Sequence, residues 1–138
     1  MRSVSQPEKP PRFFLDRSLG RKAVPEALRA DGWDVITLAE HYGMPADEQV
    51  ADTDWIKEAA KHGWPVLMKD KRIRHRPAEI AAVTEHKARC FVITRGGLPS
   101  PDMAQRFITN KAAILTAAAE PGPYIYSVQM DRISRLYP

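Results

Sequence analysis

One cysteine, Cys90, is all the chain contains, so no internal disulfide can staple it, and a small disulfide-built secreted scaffold is excluded. Cys90 lies in the apolar run Cys90-Phe91-Val92-Ile93 and reads as a buried core residue. No apolar stretch approaches the roughly 18–20 residues that a membrane-spanning helix needs. The opening segment, residues 1–11, holds no hydrophobic run, so it reads as a flexible lead-in and not as a secretory signal. A reducing cytoplasm is the expected location. Nucleotide-binding signatures are also lacking. Arg95-Gly96-Gly97 has neither the lysine nor the spacing of a phosphate-binding loop, and no dinucleotide fingerprint occurs. There is no Gly-x-Ser-x-Gly elbow, and Ser100 has no evident base partner. The four histidines, His41, His62, His75 and His86, show no metal-ligand spacing and are expected at the surface.

What is present is ordinary in bulk. A chain of 138 residues, 43% hydrophobic and 28% charged, fits one compact soluble domain with a real core. The net charge of +4 mildly favours a polyanionic partner. Its location says more: Lys69, Lys71, Arg72, Arg74, His75 and Arg76 crowd around Asp70.

Apolar and amphipathic segments alternate along the chain. Strands are expected near 12–16, 33–38, 65–69, 90–94 and 124–128, with helices near 18–31, 47–62, 77–88 and 100–119. Pro25 should kink the first helix or delay its start. His41 to Ala46 reads as a loop broken by Gly43 and Pro45, Gly63 reads as a helix cap, and Ser100 or Asp102 as a cap for the last helix. The tail from Asp131 carries no clear pattern. Strands alternating with helices imply βαβ units, hence an α/β domain of three α/β/α layers, with a mostly parallel sheet of about four to five strands. Trp33, Trp55 and Trp64 sit at element boundaries and read as packing residues; Tyr124 and Tyr126 share one strand face and are expected to pack under the C-terminal segment.

Three aspartates stand out in that frame. Asp16 ends the first strand, Asp70 ends the third, and Asp52 lies near the start of the helix between them. Carboxyl ends of parallel strands open onto the crevice where α/β sheets bind ligands. Carboxylates gathered there repel one another, and a divalent cation relieves that repulsion. Beside a basic cluster, this combination suits metal-assisted cleavage of a phosphodiester. Singly, each aspartate also has a duller reading, as a helix cap or as the partner of a neighbouring lysine or arginine.

The order of motifs resembles the PIN-like domains, which include the ribonuclease toxins of VapC type and their shorter relatives. The resemblance spans about residues 12–95. It rests on an apolar strand ending Leu15-Asp16, an amphipathic helix ending Asp31-Gly32-Trp33-Asp34-Val35, then Asp52 eleven residues before Gly63, and Lys69-Asp70-Lys71 seven past that glycine. It implies a metal-dependent endoribonuclease, the toxin of a type II toxin–antitoxin pair, with a protein antitoxin and a homodimer among its expected partners. Asp16, Asp52 and Asp70 would then be catalytic and would bind Mg²⁺ or Mn²⁺, and Arg17, Lys69, Lys71, Arg72 and Arg74 would face RNA. Relatives carry a fourth acid, often just after the third-strand aspartate, where this chain has Arg72. Asp54 and Glu79 are the candidates for that role. Arg17 stands where relatives often place another acid. Two other readings remain: a catalytically weak PIN-like module that binds RNA or protein, and a receiver-like or phosphatase-like domain. Against the last, the chain lacks an Asp-x-Asp-x-Thr nucleophile motif.

Overall fold

A computed structural model of the chain describes residues 10–138. Most of the expected lead-in, residues 1–9, lies outside the described residues. Six strands form one sheet: β1 (Phe13–Leu15), β2 (Val35–Thr37), β3 (Val66–Lys69), β4 (Arg89–Ile93), β5 (Tyr124–Val128) and β6 (Ile133–Tyr137). Their order across the sheet is β2-β1-β3-β4-β5-β6, parallel except for the antiparallel β5–β6 pair. The helices are α1 (Ala23–Ala30), α2 (Leu38–Tyr42), α3 (Asp52–His62), α4 (Pro77–His86), α5 (Ser100–Thr109) and α6 (Lys111–Ala118).

The strands are apolar on both faces because both are covered. On one face Phe13, Leu15, Leu67, Phe91 and Ile93 pack against Val24 and Leu28 of α1, Phe107 of α5 and Ile114 of α6. On the other, Phe14, Val66, Met68, Cys90 and Val92 meet Trp55, Ile56 and Ala59 of α3, Leu38 of α2 and Val83 of α4. Cys90 is part of this second core, and burial pushes its thiol up to about 12, so it is not a nucleophile. The three-layer α/β/α arrangement is the expected one.

Several element boundaries differ from expectation, each for a local reason. The sheet has a sixth strand, β6, which the tail's irregular pattern did not reveal. It is held by pairing with β5 and by the Arg135 guanidinium over the rings of Tyr124 and Tyr126, at 5.5 and 5.8 Å. The first helix begins late, at Ala23, which leaves Pro25 in its first turn, and a short 3-10 turn covers Arg17–Leu19. A short helix at Leu38–Tyr42, where Thr37 and Glu40 cap each other's backbone reciprocally, takes in the start of the loop expected from His41 to Ala46 and the last residue of the expected strand 33–38. The third helix starts at Asp52, not near residue 47; a 3-10 turn occupies Ala46–Glu48. It ends at Gly63, whose φ of 72° supplies the left-handed cap. Neither Ser100 nor Asp102 caps the helix after β4: Pro99 holds that position, without a side-chain bond.

The expected single helix over 100–119 is two, broken at Asn110. The buried Asn110 amide donates 2.8 Å bonds to the carbonyls of Arg106 and Gln129, drawing the break onto the turn after β5. Replacing it leaves two carbonyls without that donor. Asn110→Ala should cost roughly 1–2 kcal/mol, seen as a lowered midpoint in urea unfolding; an unchanged midpoint would show that the break is set by packing alone.

Candidate active site

From β1 the chain steps to β2 on one side, and β3 then lies on β1's other side. The switch in direction therefore falls between β1 and β3, where an open α/β sheet has its crevice. Asp16 and Asp70 directly follow these two strands. The Asp16 amide donates to the Leu67 carbonyl at 3.0 Å, and the Asp70 amide to the Ile93 carbonyl at 3.0 Å, so both residues leave the sheet from its hydrogen-bonded edge.

Asp16 is 6% exposed. Ser18 ties it to the neighbouring strand: the Ser18 hydroxyl donates to Asp16 Oδ2 at 2.6 Å and accepts the Lys69 amide at 3.0 Å. The other carboxylate oxygen, Asp16 Oδ1, is buried without any hydrogen-bond partner, the one such side-chain atom among the described residues. Burial raises the Asp16 pKa, the Asp52 charge adds to that rise, and the Ser18 and Arg17 contacts oppose it.

Asp52 opens α3 but does not cap it; Ala51 is the capping residue. Its Oδ1 accepts the indole N–H of Trp55 at 2.9 Å and an Arg17 guanidinium N–H at 3.2 Å. Glu79 enters from the first turn of α4, close enough to Asp52 for the two carboxyl groups to act on each other. Burial first, and then Asp52, hold the Glu79 pKa above the usual glutamate value. Asp70 is gripped by Arg76, Nε at 2.5 Å from Oδ2 and Nη2 at 3.3 Å from Oδ1, while the Arg72 amide donates to Oδ1 at 2.9 Å. Arg76 also feels Glu79 and Asp52. Asp16 thus neighbours Asp52, Asp52 neighbours Glu79, and Arg76 links Asp70 to Asp52 and Glu79. Asp54 does not join them: exposed on α3, it bears instead on Tyr42.

Residues 11–95, which carry all four acids, match the family described as PIN like domain. The chain belongs to that family. Over 124 residues, 90% of each chain, it is also 40% identical to a Mycobacterium tuberculosis protein named "Putative ribonuclease VapC45". No solved structure matches it significantly.

The basic residues of this PIN-like domain divide into two groups. Arg17 is committed to its own chain. Besides Asp52, its guanidinium donates to the Asp47 carbonyl at 3.1 and 3.0 Å and to the Val50 carbonyl, fastening the segment that leads into α3. Lys71, Arg72 and Arg74 are exposed and make no ion pair among the described residues, and Lys69 is half-buried beside Asp70. Two residues escaped the reading of the sequence as parts of the site. Arg76 was visible in the basic run, but its reach back to Asp70 depends on the turn at Ile73–His75. Trp55 read as packing alone; its three-residue spacing from Asp52 on a helix was the available signal.

The raised pKa of Asp16 makes stability depend on pH. A carboxyl whose folded pKa is raised binds its proton more tightly folded than unfolded. Its penalty is absent below the ordinary value of 3.8, grows as the pH rises above it, and is complete once the pH exceeds the folded value. Metal-free Asp16→Asn should therefore be more stable than wild type at pH 7 by an amount on the order of 1 kcal/mol, and the gain should fade as the pH is lowered to 3.8. Thermal melts in EDTA across pH check this; a variant less stable at pH 7 would contradict it.

Proposed function

We propose that this PIN-like domain, residues 12–138, is a divalent-metal-dependent endoribonuclease of the cytoplasm, the toxin of a type II pair silenced by a protein antitoxin. One observation carries the reading: Asp16 Oδ1 is a buried carboxylate oxygen with no hydrogen-bond donor among the described residues, and the Asp52 carboxylate is near enough for its charge to act on it. A protein does not leave such an atom unsatisfied without cause, and a hard cation is the partner an all-oxygen donor set fits. The name of the mycobacterial relative supports RNA as the substrate.

Asp16, Asp52, Asp70 and Glu79 would hold Mg²⁺ or Mn²⁺, with Asp54 outside the set. When bound, the ion supplies Lewis acidity at the scissile phosphate and lowers the pKa of the attacking water. The chain's own groups do the rest. Trp55 and Arg17 fix the Asp52 carboxylate in one orientation, and Ser18 does the same for Asp16. Glu79, which keeps its proton to higher pH than a free glutamate, can store and return a proton beside Asp52. Lys69, Lys71, Arg72 and Arg74, which flank Asp70 along the chain, would bind phosphates beside the cut. Arg76 neutralises Asp70 and shares the field of Asp52 and Glu79. That pair also favours a second reading, a weakly catalytic PIN-like module that binds RNA or protein, with Arg76 standing in for the cation.

Incubating bulk RNA with purified protein separates the two. Cutting is expected with Mg²⁺ or Mn²⁺ and not in EDTA, and Asp70→Asn should lower it on the order of a hundredfold or more with an unchanged circular dichroism spectrum. RNA binding without cutting under either ion would establish the second reading instead. Arg72→Ala with Arg74→Ala should flatten the salt dependence of RNA binding by roughly 0.7 in logarithmic slope for each phosphate no longer neutralised; an unchanged slope would place the RNA path elsewhere.

A further inference from the structure

Beyond the acidic site, α3 takes part in a second cluster of a different chemical kind. Glu58 and His62, four residues apart, share one face of the helix, and His41 reaches them from the last turn of α2. His41 Nε2 lies 2.7 Å from Glu58 Oε2, and His62 Nε2 lies 3.3 Å from the same oxygen. The three ligand atoms all fall within 4.8 Å of one another. Sequence spacing concealed this, because His41 is seventeen residues from Glu58 and reaches it only through the fold.

The cluster is held in place by its surroundings. The His62 ring stacks on Trp64, 4.3 Å apart and 14° from parallel. The His41 ring stands edge-on to Phe14, Tyr42 and Trp64, at 5.5, 4.8 and 5.4 Å. The reciprocal cap between Thr37 and Glu40 anchors the short helix that carries His41. Solvent still reaches all three side chains, which are 19%, 28% and 39% exposed for His41, Glu58 and His62. Hydrogen bonding from His41 keeps the Glu58 carboxyl below its usual pKa, so it is ionised at neutral pH.

We propose that His41, Glu58 and His62 form a binding site for a borderline transition-metal ion, Zn²⁺ by preference, that joins α2 to α3. Two imidazoles with one carboxylate suit Zn²⁺, whereas the all-oxygen acidic site suits Mg²⁺ or Mn²⁺. With metal–ligand bonds near 2.0 Å, tetrahedral ligand atoms stand roughly 3.3 Å apart. The His62–Glu58 separation already meets that, and the His41–Glu58 pair must open by about half an ångström, within reach of a small rotation of the Glu58 side chain. The ion takes the place of the protons now shared between each Nε2 and the carboxylate, with the imidazoles binding as their Nδ1–H tautomers. A fourth position stays open to water or to a donor from another molecule. Glu58 stands about 9 Å along α3 from Asp52, so the ion belongs to a separate site. Its effect is to clamp the helix whose first turn presents Asp52.

Titration of tag-free protein with Zn²⁺, followed by calorimetry, and with Co²⁺, followed by visible absorption, tests the site without any assay of activity. Wild type and Asp16→Asn should both bind one Zn²⁺ at this site, gain thermal stability from it, and give a Co²⁺ spectrum that excess Mg²⁺ does not remove. The exposed His62→Ala and the near-isosteric Glu58→Gln should each lower Zn²⁺ affinity at least roughly tenfold and remove the thermal gain. Zn²⁺ binding that is absent from folded Asp16→Asn, or that is unchanged in both His62→Ala and Glu58→Gln, would overturn the proposal. These outcomes do not depend on whether the protein cleaves RNA.

Discussion

A carboxylate placed at the end of a buried parallel strand loses its water, and the fold must supply something in return. Asp16 is in that position, between the ends of β1 and β3, and it receives one strong donor, Ser18, for its two oxygens. The same hydroxyl accepts the Lys69 amide, so the contact that half-satisfies Asp16 also ties the two strand ends together just before Asp70 leaves the sheet. Burial and the nearby Asp52 both disfavour the charged form. Asp16 is therefore left one donor short among the described residues.

The surrounding residues limit the deficit without removing it. Arg17 and Trp55 both address Asp52 Oδ1, and Asp52 in turn bears on Glu79. Arg76 supplies a positive charge, but to Asp70, with no hydrogen bond to Asp16. Such an arrangement orients the acids at a cost in stability, the kind of cost that functional sites commonly carry. It also explains why the basic loop serves two ends. Arg76 turns inward to Asp70, whereas Lys71, Arg72 and Arg74 stay at the surface with no ion pair among the described residues.

Much of this was legible in the residues. Runs such as Pro65–Asp70 read as a strand ending in an acid, and the βαβ alternation implied that the acidic ends would share a crevice. That reading singled out Asp16, Asp52 and Asp70. Features set by side chains reaching across the fold were not. Glu79 and Asp54 looked equivalent by spacing, and only the packing of α4 against α3 brings Glu79 to Asp52 while Asp54 turns toward Tyr42. Arg17 was expected to face RNA, yet its donors go to Asp47, Val50 and Asp52, a long-range set that no local pattern encodes. The break at Asn110 and the strand β6 were missed for the same reason, since each rests on partners well away in sequence.

The central claim is that the unsatisfied oxygen of Asp16 is reserved for a divalent cation. Crystals of the protein soaked in Mn²⁺ and measured for anomalous scattering test it most directly. A peak beside Asp16 Oδ1, within reach of Asp52, Asp70 or Glu79, is the predicted result. Ordered crystals with no peak at Asp16, whether or not Mn²⁺ appears elsewhere, would contradict the account and leave the buried carboxyl as a protonated structural group.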